Sequence, residues 1–506
     1  MKKTLVIILL LVTAVAQGQI KRLGENVHYN ATLQGTAGSS GTAPFWFTNN
    51  RYGLGTTEPN SGLLRAGIGR DAEADSTRKW RIGYGLELVG AVNHDSYFVV
   101  QQAFADFQFK AIRLSVGQKE RQIELKNNRL SSGDFVLSNN ARPIPQVRLE
   151  LPDFWTIPRT KGWLHLKAHI AFGIHTDNGW QDDFTAGTTN LRTHNSLYHS
   201  KAGFLKIGNP EKFPLSITGG LVMAAQFGGE VWNLQDRPDN TSTTTFQSHQ
   251  KLPHGLKAFW HAFIPGGGDS NDGGYSNAEG NQIGSWHLRL EYHGKGWGAA
   301  VYAEHLFEDH SQMFWQYPWK DMLYGGEVRF PKNPVVSTLV YEHLRTTDQS
   351  GPIYHDKTTN FPGAIYGQDD YYNNHVYGAW QHAGFSVGNA LLPSPIYNIY
   401  NKDGVISFMD NRIKAHHIGL EGNPTKEVGY RILYTHEKSL GAYFKAHTDP
   451  VKADFLMIEA TYAPRQVKGL SVGAAYGQNW GKLLGNSKGA MLTICYSGVI
   501  KRKVKD

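Results

Sequence analysis

Two stretches of the chain combine aromatic rings with hydrogen-bonding side chains. Residues 308–321 read EDHSQMFWQYPWKD, and residues 366–380 read YGQDDYYNNHVYGAW. A flat aromatic face can stack on the C–H surface of a sugar ring, while amides, carboxylates and cationic groups bond the sugar hydroxyls. The two stretches therefore hold candidate sugar-binding residues, which are Trp315, Tyr317, Trp319, Lys320, Asp369, Asp370, Tyr371, Tyr372 and Asn373.

Each stretch also has a second interpretation. Trp and Tyr are enriched where a membrane protein meets the lipid–water interface, so residues 308–321 are equally typical of an aromatic belt. The polar density of residues 366–380 favours an exposed loop. In that loop Asp369 and Asp370 would repel an acidic sugar unless a cation such as Lys320 lay beside them.

The sequence gives little support to catalysis or metal binding. It has 22 His, but the adjacent His416 and His417 would face opposite sides of a strand, and the other His pairs fit no strong ligand spacing. An H-E-x-x-H helix motif and a phosphate-binding loop are both absent. We expect no catalytic residues, no cofactor and no metal site; a serine lipase site assembled across strands remains the alternative enzyme class.

The elements that must position these residues are long strands with one apolar face. Residues 163–174 read WLHLKAHIAFGI. Successive side chains of a strand point to opposite faces, so this stretch has one apolar face and one largely polar face. Its length is close to the roughly 9–11 residues that a tilted strand needs to cross a bilayer. The residues expected to face lipid are Leu164, Leu166, Ala168, Ile170, Phe172 and Ile174.

The same alternation recurs along the chain. It predicts further strands at 27–33, 62–69, 80–88, 97–109, 112–116, 197–207, 215–223, 286–292, 297–307, 322–330, 335–344, 376–388, 403–409, 414–422, 427–437, 453–463, 469–480 and 489–500. Short connections alternate with long ones at 118–162, 228–284 and 346–375. The stretch 228–284 is typical of a flexible surface loop or of an ordered flap over a barrel mouth.

Composition fits an exported β protein. The chain has 56 Gly, 24 Tyr, 24 Phe and 13 Trp, which suits twisted strands with aromatic girdles. Its mean hydropathy of -0.42 does not argue against a membrane barrel, because alternating strands average out. Residues 1–18 are expected to be a signal peptide and residues 19–506 one barrel domain. The net charge of +8 favours anionic lipid or acidic polysaccharide as a partner, and export excludes nucleic acid.

Three segments resemble the capsule-assembly Wzi family of outer-membrane proteins. They are PFWFTNNRYG at 44–53, LSNNARPIPQVRLELPDFW at 137–155 and YRILYTHEKSLGAYF at 430–444. Pro143 and Pro145 in the second segment force their predecessors into extended conformations, which fixes its path. Arg142, directly before Pro143, is a candidate contact for an anionic sugar, and a structural ion pair inside the lumen is the alternative that we favour.

The resemblance implies a Gram-negative outer-membrane protein that acts as a lectin. We therefore predict an all-β fold, a transmembrane antiparallel β-barrel of about 16–18 strands with long loops closing the lumen. Its expected function is to bind capsular or other surface polysaccharide and to help assemble or retain the capsule, as a monomer in contact with outer-membrane lipid. The alternative is a porin-like channel for anions or oligosaccharides.

Overall fold

A computed structural model gives the fold of residues 23–39, 41–75, 77–236, 245–265, 280–308, 320–331, 335–355, 365–401 and 404–500. Within them, 18 strands form one antiparallel sheet, as the alternation predicted. The strands are β1 Val27–Gly38, β2 Ser61–Arg70, β3 Trp80–Val92, β4 Phe98–Phe109, β5 Ile112–Gln118, β6 Gln146–Thr156, β7 Leu164–Ile174, β8 Leu197–Ile207, β9 Leu215–Phe227, β10 Asn281–His293, β11 Gly298–Glu308, β12 Met322–Arg329, β13 Thr338–Arg345, β14 Ile413–Gly422, β15 Val428–Gly441, β16 Ala446–Tyr462, β17 Leu470–Gly481 and β18 Ser487–Ile500. The expected signal peptide lies outside the described residues.

The sheet closes into a barrel because its first and last strands pair. β1 is antiparallel to both β2 and β18, with Val27 opposite Ile500 and Gly38 opposite Gly489. Each of the 18 strands therefore has a hydrogen-bonded neighbour on both sides. Closure satisfies the backbone groups that an open sheet edge would expose to lipid.

The two ends of the barrel differ in the length of their connections. Antiparallel strands place successive connections at opposite ends, and at one end the longest connection is residues 71–79. The other end has the long connections 39–60, 119–145, 175–196, 228–280 and 346–412. Outer-membrane barrels have short turns on the periplasmic side and long loops on the outer side. We name the two ends the short-turn end and the long-loop end.

Apolar side chains face outward around the barrel. In β7, Ile170 is 43% exposed, whereas the neighbouring His169 faces the lumen and is 4% exposed. The predicted alternation over residues 163–174 is thus confirmed. Other strands present the same kind of outward side chain, including Leu33, Leu64, Leu114, Leu149, Leu205, Leu288, Val301, Ile458 and Leu492. This continuous apolar band is the surface that a bilayer would cover.

Exposed aromatic residues border the apolar band at both ends. Those at the short-turn end include Trp80, Phe109, Trp155, Phe213, Trp297 and Phe330. Those at the long-loop end include Tyr97, Phe98, Phe444 and Trp480. Aromatic girdles at these positions are typical of barrels that span a membrane.

Three long connections fold inward and fill the lumen at the long-loop end. We call residues 41–60, 119–145 and 365–401 the plug. Its buried core contacts the inner wall and includes Phe45, Trp46, Leu130, Phe135, Tyr371, Tyr372, Trp380 and Leu391. The expectation that long loops close the lumen is confirmed.

The remaining elements are short. The α-helices are α1 Phe45–Thr48, α2 Trp180–Phe184 and α3 Leu256–Phe263, and 3-10 turns occupy Ala72–Asp75, Asp177–Gly179 and Pro395–Asn401. Strands Arg192–His194, Glu230–Asp236 and Thr245–Lys251 form a small sheet, and Ser350–His355 pairs with Ile365–Gln368. None of the helices in the described residues is long and apolar enough to span a bilayer.

Two details of the predicted strand assignment are wrong. Residues 376–388 and 403–409 contribute no barrel strand: the first range holds only two-residue strands inside the plug, where apolar residues are buried without regular pairing. Conversely, β6 lies within the predicted connection 118–162. The register of β6 against β7 shifts between Leu151 and Trp155, so its alternation is interrupted around Pro152.

Candidate functional site

Two of the segments that resemble the Wzi family lie against each other inside the plug. The backbone N–H groups of Tyr52 and Gly53 donate to the carbonyls of Asn139 and Asn140 at 2.8 and 2.7 Å. Gly53 has φ +68°, and a Cβ there would lie 2.5 Å from the backbone nitrogen of Arg142. Only glycine permits this approach, so the segments form one unit although about 90 residues separate them.

Carboxylates on one part of the barrel wall hold the plug by its backbone. Glu342 on β13 accepts the N–H of Ser132 at 2.7 Å. On β11, Glu304 accepts the N–H of Phe135 at 2.8 Å and Glu308 accepts that of Tyr372 at 2.6 Å. We call β10–β13, with Glu304, Glu308 and Glu342, the clamp wall. Charge-assisted hydrogen bonds of this kind are stronger than neutral ones, particularly when water is excluded.

A buried lysine of the plug completes this attachment. The Lys126 ammonium lies 2.9 Å from an Asp134 oxygen and also donates to Glu304. Burial would lower the pKa of Lys126, but the Asp134 and Glu304 carboxylates outweigh burial and raise it. Asp134, His287 and Glu304 have ligand atoms within 4.8 Å of one another, a spacing that could hold a metal ion. Because the ammonium already bonds two of these groups, we interpret the cluster as structural.

Another part of the wall leaves a tapering cleft beside the plug. Four adjoining cavities follow β3–β8 from the short-turn end to the long-loop end, with volumes of about 610, 410, 80 and 10 Å³. The first two share Pro152 and Asp153, the middle two share Arg121 and Arg148, and the last two share Arg142. The last cavity is barely large enough for one water molecule. The cleft is therefore wide at the short-turn end and closed beside Arg142.

Charged residues line the cleft, and most of them are paired. Arg148 contacts Glu150 at 2.6 Å, and Lys167 contacts Glu124 at 2.7 Å. Arg121 differs: it donates to the Lys119 carbonyl and the Ser115 hydroxyl, both at 3.1 Å, and no carboxylate oxygen of the described residues lies within 4 Å. Burial lowers the pKa of Arg121 to about 10. Arg121, a partly buried cation of the cleft, thus lacks an ion pair in the described structure.

A polar cluster lies at the long-loop end, where residues from three connections meet. Asp348 contacts Arg345 and lies 3.5 Å from the Lys320 ammonium. The Tyr443 hydroxyl donates to the Asp348 carbonyl at 3.0 Å, and the Arg412 guanidinium lies 3.9 Å from the centre of the Tyr443 ring. We call these five residues the rim cluster. All five are partly accessible. They comprise three cations and one carboxylate, and the buried Asp321 lies beside them, accepting the N–H of Asp348 at 3.1 Å.

The structure places part of the predicted second stretch next to the rim cluster. The N–H of Asp369 donates to the Gln349 carbonyl at 2.7 Å, one residue from Asp348. Asp370 accepts from the Asn411 and Asn373 amides at 2.6 and 3.1 Å. Thus Lys320, Asp369, Asp370 and Asn373, which are far apart in sequence, lie in one neighbourhood. The predicted Trp315, Tyr317 and Trp319 lie outside the described residues.

Two predicted residues are not exposed. Tyr371 and Tyr372 are each 1% exposed and belong to the plug core, so the expectation of an exposed loop is wrong for them. The Tyr372 hydroxyl donates to the Phe135 carbonyl and accepts the N–H of Asn389 at 3.0 Å. Polar neighbours in the sequence suggested solvent, but Asp369, Asp370 and Asn373 form hydrogen bonds with Gln349, Asn411 and Phe408. In this arrangement neither ring can stack on a sugar.

Arg142 borders the narrow end of the cleft. Its carbonyl accepts from His382 at 2.8 Å, and its Nε is buried without a hydrogen-bond partner in the described structure. No carboxylate oxygen of the described residues lies within 4 Å of its guanidinium, so the expected luminal ion pair does not form there. Burial lowers the pKa of Arg142, and Asp95 and Asp177 only partly oppose this effect.

Sequence reasoning missed Arg345, Asp348, Arg412 and Tyr443 of the rim cluster. Each lies at or near a strand end, and only Tyr443 falls in a segment that the sequence singled out, 430–444. The pairing of the neighbouring strands β12 to β16 brings them together. It also overlooked three G-x-S-x-G stretches, at 384–388, 469–473 and 485–489. In a hydrolase that motif joins a strand to a helix, whereas here the stretches lie in the plug, at the start of β17 and before β18. They therefore lack the context of a nucleophile.

The sequence matches no family model and no curated protein. Among solved structures it is similar to Wzi of Escherichia coli, which is described as an outer-membrane protein involved in group 1 capsule assembly and as a carbohydrate-binding β-barrel. The match has a TM-score of 0.56 and 12% identity, and covers 97% of this chain and 88% of that one. The chain has the fold of the Wzi barrel.

Two further solved structures match with lower TM-scores. OccK5 of Pseudomonas aeruginosa has a TM-score of 0.45 at 8% identity, covering 94% of this chain and 98% of that one. OccAB2 of Acinetobacter baumannii has a TM-score of 0.46 at 8% identity over the same shares of the two chains. The closed 18-stranded barrel, its apolar band and the Wzi fold identify the chain as an outer-membrane β-barrel, as the sequence predicted.

Proposed function

We propose that this protein binds capsular or other surface polysaccharide at the cell surface and helps to assemble or retain it there, without catalysing a reaction. The observation that supports this most directly is the plug, whose buried core fills the lumen and leaves polar groups accessible at the long-loop end. A barrel built in this way holds a ligand at its rim instead of passing it through. The carbohydrate binding described for Wzi agrees with this proposal.

The rim cluster is the best candidate for the sugar contact. Lys320 and Arg345 are 42% and 37% exposed, and only Asp348 among the five residues opposes their charge. Cationic groups beside an aromatic ring suit a sugar that carries a carboxylate or another anionic group. Asp369 and Asp370 next to the cluster can accept hydrogen bonds from sugar hydroxyls. We therefore expect an acidic polysaccharide to bind more strongly than a neutral one.

A porin-like channel is the competing function. The charged cleft along β3–β8 supports it, because a polar path of this kind could admit an anion from the short-turn end. The taper from about 610 to about 10 Å³ opposes it, because the last cavity leaves no room for a hydrated ion. On this geometry the cleft is a blind recess.

Glycan binding by detergent-purified protein tests the proposal. We expect acidic capsular oligosaccharides to bind on a glycan array, and the double variant Lys320→Ala/Arg345→Ala to lose at least about tenfold in affinity, since a charge-assisted hydrogen bond contributes about 1.5–3 kcal/mol. Lys251→Ala is the matched control, because Lys251 is an exposed cation of the small long-loop sheet away from the rim cluster. Absence of binding to any glycan, or equal binding by the double variant and the control, would refute the rim assignment.

A further inference from the structure

The outer face of the barrel is covered at one place by a helix. On β9, Ile217 points outward and is exposed. Ala225 and Phe227 lie an even number of residues further along the strand, so they point outward too, but they are buried. Ala225 pairs with His199 on β8 and with Gln282 on β10, which are buried on the same face. At the long-loop end, the outward-pointing side chains of these strands are thus covered by another part of the protein.

The cover is α3, Leu256–Phe263, part of the connection between β9 and β10. Ala258 and Ala262 pack on Ala225 and Phe227, because small residues allow the helix to approach the wall closely. Phe259 meets the Phe227 ring edge to face at 5.1 Å. The Gln282 amide donates to the His261 carbonyl at 3.3 Å. The described part of the 228–284 stretch therefore includes a helix on the outer wall, while its strands pack beside Tyr377 of the plug.

The other face of α3 is apolar, and none of the described residues covers it. Leu256, Trp260 and Ile264 follow one another at four-residue intervals, which places them on one side of the helix. They are 90%, 58% and 47% exposed. A helix that is buried on its alanine face and exposes three large apolar residues on another is unusual for a surface in water.

A lysine on the lipid-facing side fixes the end of this helix. Lys201 on β8 has the outward parity of Leu205, and its ammonium donates to the Phe263 carbonyl in the last turn of α3. The ammonium also lies 5.0 Å from the centre of the Phe263 ring. A cation is favoured at a helix C-terminus because the carbonyls there have no intrahelical partners. This bond holds α3 at the edge of the apolar band.

We infer that α3 lies in the lipid–water interface of the leaflet at the long-loop end, with Leu256, Trp260 and Ile264 inserted among the lipid acyl chains. The argument rests on continuity: α3 covers outward positions of β8, β9 and β10, and the next exposed residues on those strands form the lipid-facing band. An aromatic residue beside aliphatic residues on one helix face is typical of interfacial helices. The helix widens the lipid-contacting surface beyond the barrel wall.

Spin-label accessibility in lipid bilayers tests this inference. In a Cys495→Ser background, which removes the only native cysteine, a nitroxide is attached at Trp260→Cys. Leu205→Cys in the apolar band is the lipid reference, and the exposed Lys251→Cys is the water reference. We expect the label at 260 to collide preferentially with dissolved oxygen, as at 205, and to be protected from a water-soluble nickel complex.

Two results would overturn the inference. A label at 260 that is as open to the nickel complex as the label at 251 would place this face in water. A label that is shielded from both reagents would place it against protein, for example a second copy of the chain. If Trp260→Cys does not fold, the same measurement at Leu256→Cys and Ile264→Cys decides, since both side chains point away from the wall.

Discussion

Two cations in residues 119–145, one buried and one partly buried, have opposite surroundings. Lys126 at the clamp wall bonds Asp134 and Glu304, and these carboxylates raise its pKa despite burial. Arg121 in the cleft has no carboxylate oxygen within 4 Å among the described residues, and burial lowers its pKa to about 10. The contrast shows that this connection has two roles. Lys126 attaches the plug to the clamp wall, whereas Arg121 remains as a polar group in the cleft.

The largest effect should come from breaking the clamp. In Lys126→Met, Asp134 and Glu304 lose their cation and remain buried, and breaking a buried ion pair costs about 3–5 kcal/mol. Backbone amides of residues 130–136 should then exchange with deuterium roughly 150- to 5,000-fold faster than in the parent protein. Lys251→Met is the control, because Lys251 is an exposed cation whose partner Glu230 is also partly exposed. Equal protection in both variants would mean that the plug does not depend on the clamp.

A second test uses pH on the carboxyl at the edge of the clamp wall. Burial raises the pKa of Asp321 to about 6, above its ordinary 3.8, although it accepts the N–H of Asp348 at 3.1 Å and that of Gln349. Because the pKa of Asp321 is higher in the folded state than in the unfolded state, protonated Asp321 contributes to the free energy of unfolding. This contribution is fully present below pH 3.8 and is lost as pH rises through 6. From pH 4 to pH 7.5 the loss should be about 2–3 kcal/mol.

Hydrogen exchange of the Asp348 and Gln349 amides measures this loss. After correction for intrinsic rates, their exchange should be roughly 30- to 100-fold faster at pH 7.5 than at pH 4. Asp321→Asn, which cannot ionise, should remove the pH dependence. A dependence that persists in Asp321→Asn would assign it to another group.

A smaller effect separates the two plug tyrosines. Tyr372→Phe removes a hydroxyl that bonds both the Phe135 carbonyl and the Asn389 N–H, and should cost about 1–2 kcal/mol. Tyr371→Phe is the matched control, because the Tyr371 hydroxyl lies 3.4 Å from Asp321 in a weaker bond. The Asn389 amide should exchange faster only in Tyr372→Phe. Equal effects would show that burial of the ring, not its hydroxyl, fixes the plug here.

The smallest effect is expected in the cleft. Arg121→Gln removes a partly buried charge, which should stabilise the fold, and two hydrogen bonds, whose loss should destabilise it. The two contributions to the free energy of unfolding therefore oppose each other. The change in stability should stay within about 1 kcal/mol, measured by exchange of the backbone amides of residues 119–125. A loss as large as that of Lys126→Met would remove the distinction between the clamp and the cleft.

Strands with clean alternation could be predicted from the sequence. In β10 the outward Leu288 and Leu290 enclose the inward Arg289, and this pattern reflects only the strand and its two environments. The structure of the plug could not be predicted from alternation, because its polar residues form hydrogen bonds with partners far along the chain, as Asp370 does with Asn411. The rim cluster was missed for the same reason: the end of β13 and three connections supply its residues, and no single stretch shows their proximity.

Single-channel recording in planar bilayers tests most directly whether the lumen is filled. The plug and the narrow end of the cleft predict no steady open conductance for the purified protein, at neutral pH and moderate voltage. A steady conductance of the kind that an open porin shows would contradict the filled lumen, and with it the proposal that the barrel holds polysaccharide at its rim.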